Sequence, residues 1–76
     1  MIDQAPPPTI TQTIGKRIRI LRQSNGMTQS ELANQLGIST QAVSKWERGL
    51  CAPDVAFLVC LSRIFEVTLD CLFGIA

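Results

Sequence analysis

The sequence contains no histidine and no tyrosine, and charged residues make up only 17% of its 76 positions. That share lies below the roughly 25% usual for soluble domains. Without histidine the commonest general base and metal ligand is missing. No paired carboxylates, no glycine-rich phosphate loop and no nucleophile beside a base can be found either, so no enzymatic activity is expected. The three cysteines, Cys51, Cys60 and Cys71, are odd in number and lack a C-x-x-C spacing. A zinc site and a disulfide framework are thereby excluded, and reduced thiols fit best. No metal and no cofactor is expected. No apolar run approaches the ~20 residues that cross a bilayer, and the N-terminus lacks the basic start and apolar stretch of a signal peptide. The expected setting is cytoplasmic, with no membrane partner.

What is present is a hydrophobic fraction of 46% in a chain the size of one small domain. A core of this size is marginal, so stability must come from close helix packing or from a partner subunit. The net charge is only +1, yet Lys16, Arg17, Arg19, Arg22, Lys45 and Arg48 all precede the last third, where Arg63 stands alone. A local basic face attracts phosphate even when the total charge is near zero.

Residues 1–11 read as a flexible proline-rich tail, because Pro6, Pro7 and Pro8 favour an extended conformation. From about Thr13 the period becomes helical, with Ile14, Ile18 and Leu21 on one stripe and Asn25–Gly26 as a stop. Thr28 and Glu31 form a capping box for a second helix, which buries Leu32, Ala33 and Leu36 and ends at Gly37. Ser39 is the N-cap of a third helix, which Gly49 ends. Pro53 and Asp54 open a fourth, with Val55, Leu58, Leu61 and Phe65 assigned to the core. Thr68 caps a last short helix, Leu69–Phe73, closed by Gly74. The fold class is all-α, with five helices in residues 12–76.

Residues 28–48 carry the function. On a helical wheel, Ala42, Val43 and Trp46 of the third helix point to one side and must pack inward. Gln41, Ser44, Lys45 and Arg48 point to the other, with Thr40 beside them in the exposed first turn. This outward set contains no carboxylate, which suits a surface facing phosphates and base edges. A glutamine can grip adenine through N6 and N7 in the major groove, and a lysine reaches a guanine edge or a phosphate.

The run T-Q-x-E-L-A-x-x-L-G-I-S-x-x-x-V-S-x-W-E-R-G from Thr28 to Gly49 resembles the helix-turn-helix of the Cro/CI-type (Xre family) regulators, which include lambdoid phage repressors. The likeness extends through P-D-x-x-x-L-x-x-L in residues 53–61 to V-T-L-D-x-L-F-G in residues 67–74. It implies a five-helix lambda-repressor-like domain whose helices 2 and 3 form the motif, with helices 4 and 5 in residues 53–74. It implies a sequence-specific regulator of transcription, a repressor, that binds double-stranded DNA and is nucleoid-associated. By that resemblance Thr40, Gln41, Ser44 and Lys45 read bases, while Gln29 and Arg48 contact phosphate. Arg22 and Glu47 are expected to form an ion pair, and Ala33 and Gly37 to permit close packing of the two helices.

Helix 4 is more apolar than DNA docking requires. Phe57, Cys60 and Ile64 make a second stripe beside the core residues, and Cys71 lies in helix 5. An exposed stripe of this kind marks an interface, so these four residues are candidates for a homodimer contact on an inverted repeat. The alternative reading is an antitoxin or another protein-interaction module that reuses the fold, its partner a protein such as a toxin.

Overall fold

The computed structural model describes residues 9–75, so the proline-rich stretch lies outside the described residues. Five helices follow one another: α1 (Ile10–Ser24), α2 (Gln29–Leu36), α3 (Thr40–Glu47), α4 (Val55–Phe65) and α5 (Leu69–Phe73). No strand is present among the described residues, as the sequence implied.

Each helix begins at a side chain that takes up a free backbone amide. Thr28 Oγ1 accepts from the Glu31 amide at 3.1 Å, and Glu31 Oε1 accepts from the Thr28 amide at 2.9 Å. Hydrogen bonding from Thr28, first from its backbone amide and then from its side chain, favours the carboxylate form and holds the Glu31 carboxyl below its ordinary range. Ser39, Asp54 and Thr68 cap α3, α4 and α5 with their side-chain oxygens. The turn inside the motif depends on Gly37, whose φ of 71° suits a residue without Cβ.

Helix α1 starts earlier than the sequence suggested. Thr9 and Gln12 form a second capping box, the Thr9 hydroxyl accepting from the Gln12 amide at 3.1 Å and Gln12 Oε1 from the Thr9 amide at 2.9 Å. Thr9, Ile10 and Thr11 therefore belong to the helical domain and not to the tail. Proline lacks the amide that a helix interior needs, yet it is no obstacle immediately before a cap.

The core is assembled from Ile14 and Ile18 of α1, Leu32 and Ala33 of α2, Val43 and Trp46 of α3, Leu61 and Phe65 of α4, and Leu72 of α5. Burying a large apolar side chain contributes about 1.5–3 kcal/mol relative to leaving it exposed. Two expectations for α4 are corrected. Val55, assigned to the core, is 75% exposed, because Phe57 and Leu58 take the inward positions of the first turn of α4 and pack against the core in its place. Phe57 and Ile64, read as part of an exposed stripe, are half-buried against the core, whereas Cys60 is exposed. The Phe57 ring meets Trp46 with centroids 5.6 Å apart and planes tilted by 52°, a favourable aromatic arrangement.

Candidate nucleic-acid interface

Three contacts determine where α3 points. The first is an approach of backbone to backbone. A Cβ built on Gly15 would lie 2.1 Å from the Trp46 carbonyl oxygen, so only glycine lets α1 come this close to α3. Sequence reasoning passed over Gly15. The available signal was a glycine in a helix interior, which costs about 1 kcal/mol against alanine and so calls for a packing reason.

The second contact is an ion pair. Arg22 donates from Nε to Glu47 Oε2 at 2.6 Å and from Nη2 to Glu47 Oε1 at 3.0 Å. Its Nη1 donates to the Met27 carbonyl at 2.8 Å, tying the α1–α2 turn to the same group. The two side chains are only 11% and 4% exposed. Hydrogen bonding to Glu47 raises the Arg22 pKa against the opposing effect of burial, so the guanidinium stays charged. Gln29 completes the cluster, its Nε2 donating to Glu47 Oε1 at 3.1 Å.

The third contact joins α2 to α3 directly, with Ser30 and Thr40 hydroxyls 3.2 Å apart. Together these contacts leave Thr40, Gln41, Lys45 and Arg48 exposed and Ser44 half-buried, while Val43 and Trp46 are buried. Thr40, at the start of α3, therefore has its hydroxyl beside Ser30, and Gln41 and Lys45 project without a side-chain partner among the hydrogen bonds of the described residues. Arg48 lies back along its own helix, Nε donating to the Ser44 carbonyl at 3.4 Å. The capping box uses the Thr28 and Glu31 amides, which leaves those of Gln29 and Ser30 directed out of the α2 N-terminus.

The four residues put forward for a subunit contact are not equivalent. Cys60 is exposed, and Phe57 and Ile64 lean on the core. Cys71 is half-buried, with Arg17 donating from Nε to its carbonyl at 3.1 Å and from Nη2 to Sγ at 3.2 Å. Among the described residues no helix is long and apolar enough to cross a membrane.

A family model described as helix-turn-helix matches residues 18–70. The transcriptional activator BcrR of Enterococcus faecalis is 42% identical over 55 residues, covering 72% of this chain and 27% of that protein. The transcriptional regulator DicA of Escherichia coli (strain K12) is 44% identical over 54 residues, covering 71% of this chain and 40% of that protein. Repressor protein C2 of Salmonella phage P22 is 36% identical over 60 residues, covering 79% of this chain and 28% of that protein. The chain thus spans well under two thirds of the length of these curated relatives, whose names are those of regulators and not of enzymes. With its five helices, its motif in α2 and α3 and these relatives, the chain belongs to the Cro/CI-type (Xre) helix-turn-helix family.

Proposed function

We propose that this protein is a sequence-specific regulator of transcription, acting as a repressor, that inserts α3 into the major groove of double-stranded DNA. The observation that carries this reading is the outer face of α3. Thr40, Gln41 and Lys45 are exposed there, without a carboxylate among them, on a helix whose direction is set by Gly15 and the Arg22–Glu47 pair. Thr40, Gln41, Ser44 and Lys45 are assigned to base edges. Gln29, with a second amide hydrogen free after its bond to Glu47, and Arg48 are assigned to phosphate.

One domain of this size makes few contacts, and a twofold dimer would read two half-sites about 34 Å apart. The exposed Cys60 of α4 and Leu69 of α5 support placing the subunit contact on these helices, with Phe57, Ile64 and Cys71 at its edge. The target is then a short inverted repeat.

Selection from a pool of random duplexes tests both parts. Recovery of a palindrome is the expected result, and a single unpaired half-site would remove the dimer. No enrichment even at low salt would overturn DNA reading in favour of a protein-interaction module. On the recovered site, Gln41→Ala should cost about 1–3 kcal/mol of binding and relax the preference at one base pair.

A further inference from the structure

Beside the proposed DNA face the structure holds a cleft of about 280 Å³ between α1 and the end of α3, lined by Gln12, Lys16, Glu47, Arg48 and Gly49. Its size leaves room for a phosphate group and accompanying water, since one water occupies about 30 Å³ of liquid. Its charge also suits an anion. Glu47 is the one carboxylate in the lining, and its oxygens are already taken by Arg22 and Gln29. Lys16 and Arg48 therefore set the sign of the cleft. At Gly49 the backbone approaches α1 closely, since an added Cβ would stand 3.0 Å from Gln12 Cγ. Gly49, at a φ of 74°, lines the cleft there.

Its position is equally informative. Gln29 is one hydrogen bond from Glu47, and Arg48 lines the cleft itself, so the cleft continues the side assigned to phosphate. Thr40 and Arg48 are eight residues apart, or about 12 Å along a helix. With the N-terminus of α3 at the base edges, a residue that far along the helix, and the cleft beside it, would stand well away from the base edges, on the side assigned to the sugar-phosphate backbone.

We infer that this cleft receives a backbone phosphate of the bound duplex, held by Lys16 and Arg48, which makes α1 a third DNA-contacting helix. The inference rests on the DNA-binding reading above and adds Lys16 and Gln12, which neither the motif nor the wheel of α3 singles out.

Binding of the full chain to a random-sequence duplex of roughly two helical turns, followed over a salt series, provides the test. Lys16→Gln should weaken binding severalfold at low salt and reduce the slope of log K against log salt by about 0.9, the value for one phosphate contact. Lys16→Arg should restore the slope. Arg63→Gln removes the same charge from the exposed side of α4 and should leave the slope near that of the unaltered chain. Equal slopes for Lys16→Gln and the unaltered chain, or an equal loss with Arg63→Gln, would overturn the inference. Lys16 is exposed, so the thermal melt followed by circular dichroism should be unchanged and a folding defect is separable. Inorganic phosphate supplies a second arm. Shifts of the Gln12 and Gly49 amide resonances with phosphate, alongside an unaltered duplex slope, would assign the cleft to a free anion and refute the DNA contact. If the unaltered chain binds no duplex at low salt, the DNA-binding reading fails and the inference fails with it.

Discussion

Helices α3 and α4 pack on the same core but are held there by different kinds of force. α3 is fixed by directional contacts: the bidentate Arg22–Glu47 pair, the Gln29 bond to Glu47, and a backbone approach that Gly15 alone permits. α4 is held by Leu61 and Phe65 in the core with Phe57, Leu58 and Ile64 around them. Among the described residues its side-chain hydrogen bonds stay within α4 and its cap, from Ser62 to the Val59 carbonyl and from the Phe57 amide to Asp54. Apolar packing is non-directional and tolerates small shifts. A bidentate ion pair and a steric stop define an orientation. The helix assigned to base reading is the one whose orientation is over-determined, which is what a geometry-sensitive site requires.

The largest expected effect comes from breaking the ion pair. Arg22→Ala strands the Glu47 carboxylate in a largely buried place and should cost about 3 kcal/mol, at the lower end of values for broken buried pairs. Replacing both residues should cost less than the sum of the two single changes, because no charge is left unpaired. Urea unfolding of the four members of the cycle measures this. Strict additivity would mean that Arg22 and Glu47 act as independent surface charges, and the contrast between α3 and α4 would lose its main support.

Gly15→Ala comes next. The new methyl would meet the Trp46 carbonyl oxygen, and neither backbone can yield without displacing a helix. Overpacking of this sort costs about 1–3 kcal/mol, against a gain of about 1 kcal/mol from the better helix propensity of alanine. The net loss in chemical denaturation should be about 2 kcal/mol, since a Cβ so close to a backbone oxygen puts the steric cost at the upper end of its range. DNA affinity should fall further than the unfolded fraction explains. A stabilised variant would show that α1 and α3 can separate freely, and the steric stop would no longer distinguish α3 from α4.

The caps explain why so much of the fold is legible in the sequence. Thr28 with Glu31, Ser39 and Thr68 each mark a start, and Gly37 and Gly74 each mark an end, because single residues satisfy or release specific backbone groups. The Thr9–Gln12 box is equally present but stands directly behind three prolines, whose extended preference masks it. The end of α4 carries no glycine at all. Glu66 adopts the left-handed conformation there, with φ 55°, as a non-glycine residue seldom does. The candidate interface is legible in the same uneven way. The outward set on α3 follows from helical period alone. The approach of Gly15 to Trp46 and the cleft beside Lys16 join residues about thirty positions apart, and no local pattern encodes such a contact.

Val55 gives the smallest expected effect and the clearest view of α4. Spacing from Leu58 and Leu61 places it inward, but Phe57 and Leu58 cover the core at the first turn of α4 and Val55 is left exposed. At 75% exposure its side chain has little buried apolar area to lose on replacement. Val55→Ser should therefore change the stability of the isolated chain by less than about 0.5 kcal/mol. The same substitution has a different meaning in an assembly, where a partner's surface would remove the valine from water. Stability measured over a range of protein concentrations separates the two situations. A loss confined to high concentration would place Val55 within the subunit contact and extend that contact to the start of α4. A loss of about 1 kcal/mol or more at every concentration, the size typical of a core substitution, would return Val55 to the core, and α4 would then be held along its whole length.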